Sequence, residues 1–320
     1  MRLSKPAETD QPIPRPAGAP ADAPGRRITG AVWAALGIVY VVWGSTYLGI
    51  RIVVETMPPF LSAGARFITA GLLLAALVAW RQGPAALRVT RAQLGSAVLV
   101  GLLLIVGGNG LVVLAEQSVP SGLAALLVAA VPMWVVLMRT VSGDRPPLAT
   151  LGGVVIGMAG LAVLTLPGIS GDVRLSGVLM ILVAALLWSL GSFSAGKLPM
   201  PGNPFTASAY EMVAGGVAAL LVGLGRGEHR GLDLDDFSAR SWVALAALVL
   251  VGSLIGFTAY AWLLQSAPLS LVSTYAYVNP VVAVFLGALV LNEALTWPIL
   301  FGGAIVVAGV CVIVSTERRH

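Results

Sequence analysis

Charge is scarce in this sequence. Only 10% of its 320 residues are Asp, Glu, Lys or Arg, against about a quarter in an average soluble domain. So thin a polar coat excludes the two soluble domains that this length would otherwise accommodate. With a single cysteine, Cys311, an intramolecular disulfide is impossible. With only two histidines, His229 and His320, no Cys/His cluster can hold zinc, and no metal is expected. What is abundant is apolar: 58% of residues are hydrophobic and the mean hydropathy is +0.92. The net charge of +5 and pI near 9.8 would suit nucleic acid if the bases were clustered. They lie instead in short gaps between apolar blocks, the pattern by which membrane proteins fix orientation. The expected partner is a lipid bilayer, with no nucleic acid.

A helix that crosses a bilayer needs about 20 mostly apolar residues. Ten such blocks can be read, at about 31–50, 60–80, 93–115, 119–140, 148–167, 175–196, 205–225, 241–265, 269–291 and 297–315. Pro120 and Pro268, each following a Gln-Ser pair with one residue between, mark two tight reversals. The alternating ten-residue segments of a membrane barrel are absent, so the expected fold class is an all-α polytopic membrane protein. Residues 1–29 hold six prolines and five Lys/Arg with few large apolar side chains, which predicts a disordered cytoplasmic tail. The first apolar block begins only after Arg27, which reads as a retained anchor rather than a signal peptide. The loop Arg226 to Arg240, with seven charges, reads as a solvated connection. With the N-terminus in the cytoplasm, thirteen Lys/Arg fall on the inner side and five on the outer. The bias predicts that both termini are cytoplasmic.

The chain also resembles itself. Shifted by 145 residues, Trp43 falls on Trp188, Pro59-Phe60 on Pro204-Phe205 and Gly71 on Gly216. Shifted by 148, Gln117-Ser118-Val119-Pro120 meets Gln265-Ser266-Ala267-Pro268, and Pro132 meets Pro280. Slightly further on, Asp144 meets Glu293, Gly153 meets Gly302 and Gly160 meets Gly309. Two copies are expected, 30–168 and 172–316, of five spans each. An odd number of spans inverts the second copy relative to the first. Inverted copies bracket a site near the bilayer midplane that either side can reach, the architecture of secondary transporters.

Several stretches carry a further likeness: WGSTYLGIR (43–51), PPFLSAGARF (58–67), GNGLVVLAEQSVPSGLAALL (108–127), STYAYVNPVVAVFLG (273–287) and LNEAL (291–295). With them, residues 30–316 resemble the EamA family of the drug/metabolite transporter superfamily, nearest its YedA-like inner-membrane branch. The resemblance implies ten helices as two inverted five-helix EamA repeats and export of small metabolites or toxic compounds. One departure is Gly143-Asp144-Arg145, where the family usually has Gly-Glu-Arg; the shorter Asp reaches less far.

Arg66 is the only base deep inside a predicted span, Arg139 standing at the inner end of its own; Arg66 lies about 9 Å from the outer face at 1.5 Å per residue. It either attracts a substrate carboxylate and fixes an outer gate, or snorkels outward and pairs with Glu55 or Glu116. Glu211 holds the matching place in the second copy, about 9 Å from the inner face. It is a candidate proton carrier, because a carboxyl held away from water keeps its proton more readily; the alternative is pairing with Lys197 or Arg139. Asn109, within Gly107-Gly108-Asn109-Gly110, either bonds a neighbouring helix or faces the pathway. No strand precedes that Gly-rich run, so it is no phosphate loop, and no cofactor is expected. Pro132 and Pro280 each free the carbonyl four residues earlier, on Val128 and Ala276, and are candidate hinges. The freed carbonyls, with Asn279 beside them, must face a cavity or protein. Trp43, Trp188, Tyr260, Tyr275 and Tyr277, with Ser45 and Ser192, are candidates to line an amphipathic pocket, although Tyr275 and Tyr277 point to different helix faces. Tyr47 and Trp80 suit interface anchors. Gly153-xxx-Gly157 and Gly252-xxx-Gly256 fit close helix packing.

The expected function is an inner-membrane exporter working by alternating access. Its substrate is a small, partly apolar molecule: an amino acid, a derivative or a toxic amphiphile. Protons are a possible coupling ion. A lipid flippase or scramblase is the rival. An intramembrane enzyme is disfavoured, since no span holds a His or a close acid pair.

Overall fold

A computed structural model describes residues 29–143, 146–170, 173–267, 272 and 275–317. The predicted tail, Asp144-Arg145 and the reversal at Pro268 lie outside the described residues, as does the side chain of Tyr277. Among those described there is no strand. The helices are α1 (Gly30–Val53), α2 (Pro59–Gln82), α3 (Arg91–Ala115), α4 (Ser121–Val141), α5 (Leu148–Ser170), α6 (Leu175–Ala195), α7 (Pro204–Gly225), α8 (239–266), α9 (Tyr275–Leu291) and α10 (298–317). Seven helices of at least 18 described residues are long and apolar enough to cross a bilayer. Within α5, α9 and α10, Leu148–Leu164, Val278–Leu291 and Pro298–Ile313 are shorter apolar helical stretches among the described residues.

Local chemistry sets several helix ends. Thr90 accepts from the Gln93 amide while Gln93 returns a bond to the Thr90 amide, a reciprocal cap that starts α3. Ser238 caps α8 through the Ser241 amide. Pro59 and Pro204 sit in first turns, where a missing N–H costs nothing. Asn292, at φ 55°, ends α9 in the left-handed region that Asn tolerates. That turn aims the next residue, Glu293, across the molecule. Glu293 accepts from the Ser121 amide at 2.8 Å, the Ser121 hydroxyl at 2.9 Å and the Gly122 amide at 3.1 Å, capping α4. Glu228 does the same for α2, accepting from the amides of Phe60 at 2.9 Å and Leu61 at 3.0 Å. Both carboxylates meet the positive end of a helix dipole. The charged loop 226–240 is therefore not wholly solvated: Glu228 turns inward because the orphan amides of α2 are there to be satisfied.

Packing partners fall into matched pairs. Helix α2 packs on α7, and α5 on α10. The contacts of α1 with α8 and α9 are matched by those of α6 with α3 and α4, and α2 on α8 by α7 on α3. Small residues make these approaches possible. A Cβ on Gly64 would stand 2.9 Å from the Gly216 carbonyl, and one on Gly153 2.9 Å from the Gly309 carbonyl. The outward surface is apolar, with Leu73, Trp80, Phe285 and Phe301 exposed. Water would not tolerate so continuous an apolar exterior, and lipid would.

Three helices depart from regular geometry beside the centre of the molecule: α3, α4 and α8, the last wound as a π-helix over Leu248–Ile255. In α3 the stretch Leu102–Gly110, with the Gly107–Gly110 run, is wound as a π-helix, a local form that often accompanies function. In α4 the helix stops at Val128 and restarts at Val131. Pro132 lies in the first turn of the second piece rather than inside a continuous helix. The break falls at Ala129-Ala130, just before the proline, because a proline is accommodated by a new helix start. Pro280 does sit within α9.

Candidate functional site

Helices of both halves enclose a cavity of about 660 Å³ of atom-free space, counting its mouth. It contains six of the residues singled out by sequence: Trp43, Arg66, Asn109, Trp188, Tyr275 and Asn279. Among the described residues, the other candidates lie outside its wall. Tyr260 stands behind the wall, its ring 4.8 Å from Trp43 and 5.9 Å from Tyr275. Ser45 and Ser192 do not line the cavity; their hydroxyls donate to the carbonyls of Val42 at 2.8 Å and Trp188 at 2.9 Å on their own helices. A short side chain on a helix finds its own preceding turn before it finds a cavity. Glu211 lies partly buried in α7, where its backbone packs against Gly101, and it is not part of the cavity wall.

The apolar wall is built on Trp43. Its ring meets Trp188 at 6.1 Å, Phe257 at 5.4 Å and Tyr275 at 5.4 Å, two of these edge-on at close to a right angle. Edge-to-face pairs add about 0.5–1.5 kcal/mol each beyond burial. The Trp43 indole N–H donates to the Gly252 carbonyl at 3.3 Å. Gly256 leaves the space for it, since a Cβ there would stand 2.5 Å from Trp43 Nε1. The Gly252-xxx-Gly256 spacing thus seats an aromatic ring.

The polar lining is under-satisfied. Arg66 is 4% exposed and donates from Nε to the Ser253 hydroxyl at 2.8 Å, while its Nη1 has no hydrogen-bond partner among the described residues. It pairs with neither Glu55 nor Glu116, the two acids that the sequence suggested; a hydroxyl from α8 has taken its Nε instead. Asn109 Oδ1 and Asn279 Oδ1 are likewise buried without partners. Each such group costs about 1–3 kcal/mol, a cost that a polar ligand in the cavity would offset. An aromatic wall, one buried guanidinium and two amide oxygens can hold a small molecule with an apolar body and a charged or polar head.

Sequence reasoning missed Thr46, Tyr47, Ile50 and Phe257, all of which line the cavity. A signal was present: Trp43, Tyr47 and Ile50 recur at helical spacing on one face of α1. Tyr47 is a wall residue, not an interface anchor, whereas Trp80, 74% exposed, stays outside.

The comparisons with known proteins agree with this arrangement. The EamA-like transporter family profile matches residues 28–166 and again 175–315. The uncharacterised inner membrane transporter YedA of Escherichia coli (strain K12) is 39% identical over 267 residues, covering 83% of this chain and 84% of that protein. A probable amino-acid metabolite efflux pump of Salmonella typhimurium (strain LT2) is 26% identical over 292 residues, covering 88% and 94%. A crystal structure with 20% identity superposes with a TM-score of 0.63 over 90% of this chain and 98% of its own, which shows a shared fold. These relatives bear transporter names, and with the apolar helices they support a multi-pass inner-membrane protein. The chain belongs to the EamA-like transporter family.

Proposed function

We propose that this protein is a secondary transporter that exports small, partly apolar metabolites across the inner membrane by alternating access. The observation that carries the reading is the cavity itself. It is walled by α1–α4 on one side and α6, α8 and α9 on the other, and holds buried polar groups without protein partners. In this reading the three shorter apolar helices complete ten spans. Residues 30–168 and 172–316 are two inverted repeats, and both termini lie in the cytoplasm, as the distribution of Lys and Arg favours. The interruption of α4 at Ala129-Ala130 and Pro280 in α9 are the flexing points, one in each repeat.

The substrate class we favour is an amino acid or a derivative, supported by the name of the Salmonella relative. Arg66 Nη1 would take the carboxylate, and Trp43, Trp188 and Tyr275 the apolar body. No chemistry on the substrate is needed: work is done by exposing one site alternately to two water phases. The test is flux into vesicles that contain purified protein, with labelled amino acids in one set and fluorescent lipids in another. Movement of amino acids alone supports the reading. Movement of lipids alone replaces it with a flippase.

A further inference from the structure

Glu116, the residue after α3, is fully buried, and among the described residues neither carboxyl oxygen has a hydrogen-bond partner. The ionisable groups coupled to it come from three directions: Arg51 and Tyr47 from α1, Arg66 from α2, and Glu293 from the turn after α9. None of them satisfies it. Arg51 donates to the backbone carbonyl of Glu116, not to its carboxyl. Arg66 gives its Nε to Ser253. Glu293 is held at the N-terminus of α4 by Ser121 and Gly122, and a second carboxylate nearby is repelled by it. An ionised carboxylate out of water and without hydrogen bonds is strongly disfavoured. Binding a proton removes that charge.

We propose that Glu116 is a proton-binding site, linked through Arg66 to whatever anion occupies the cavity. Arg66 is the shared element, because it is coupled to Glu116 and also lines the cavity with a partnerless Nη1. An anion on Nη1 cancels the positive charge that otherwise favours release of the proton. Proton and anion therefore assist each other's binding, and the assistance is reciprocal, of the order of tenfold in affinity. The carrier then moves a carboxylate and a proton outward together, so export runs on the cargo's own gradient. Glu211, which lies outside the cavity wall, has no such link to Arg66. The cargo part of this inference rests on the transport reading above; the proton site does not.

The experiment is infrared difference spectroscopy of the full chain in lipid membranes across a pH titration. Wild type should show a protonated-carboxyl carbonyl band at neutral pH. One component of the band should vanish in Glu116→Gln and persist in Glu211→Gln. Glu116→Asp should keep it at a displaced frequency, which covers the case where the Gln variant does not fold. In Arg66→Gln the band should survive to higher pH, because a positive neighbour that favours the ionised form has gone. A neutral-pH spectrum without the band, or a band untouched by Glu116→Gln, overturns the proton site. An unshifted titration in Arg66→Gln overturns the link. Vesicles that carry no amino acid despite an intact Glu116 band would sink the transport reading alone.

Discussion

Trp43→Ala removes the ring on which the cavity wall is assembled. Trp43 is 8% exposed and contacts the rings of Trp188, Phe257, Tyr260 and Tyr275. Trp→Ala changes in well-packed interiors cost about 3–5 kcal/mol. One side of this ring borders empty space, so the lower end applies, about 3 kcal/mol. Trp43→Phe keeps a ring in the same place and loses mainly the bond to the Gly252 carbonyl, about 1 kcal/mol. The assay is equilibrium unfolding of purified protein in mixed micelles of detergent and denaturing surfactant, followed by helix content. Flux in vesicles is read alongside. The alanine variant should be the less stable of the two, and it should also lose transport at surfactant levels where it remains folded. An alanine variant within about 1 kcal/mol of wild type would refute the claim that this ring organises the wall.

Other outcomes follow from the same geometry. Gly216→Ala should markedly lower the yield of folded protein, since a Cβ there would stand 2.7 Å from the Ile68 amide; Gly95→Ala, which meets nothing within 4 Å, should gain up to about 1 kcal/mol of helix stability. Melting curves of the two separate close packing from a general intolerance of change. Glu228→Ala uncaps α2 and should destabilise by about 1–2 kcal/mol in the same surfactant titration; a neutral result would mean that water replaces the carboxylate. Cys311, exposed on α10, should react with a lipid-soluble maleimide and resist a charged one. For orientation, in a Cys311→Ser background, Asp233→Cys should label with an impermeant maleimide on intact cells, while Gly202→Cys should label only after lysis. The reverse pattern would invert the topology.

Composition settled the solvent. With 10% charge and 58% hydrophobic residues, the chain belongs in lipid, and without the alternating segments of a barrel its spans must be helices, which satisfy every backbone group within their own segment. The repeat was legible too, since Trp43 and Trp188, 145 residues apart, and Pro132 and Pro280, 148 apart, keep nearly one spacing, and matched packing of α2 on α7 and α5 on α10 accompanies it. Half of the candidate site could be read because a polar group inside an apolar block, such as Arg66 or Asn109, has to be accounted for somewhere. The rest could not. Whether Ser45 bonds its own helix or faces a cavity depends on which face of α1 meets α8 and α9. That Glu116 stays without a partner depends on Arg51, Arg66 and Glu293 arriving from distant parts of the chain, each already engaged elsewhere. Hydropathy is additive along a sequence, so residues alone determine that this chain lives in a membrane as a doubled helical protein. Satisfaction of a polar atom is a property of what surrounds it in three dimensions, so only the packed structure decides which groups remain free to meet a substrate or a proton.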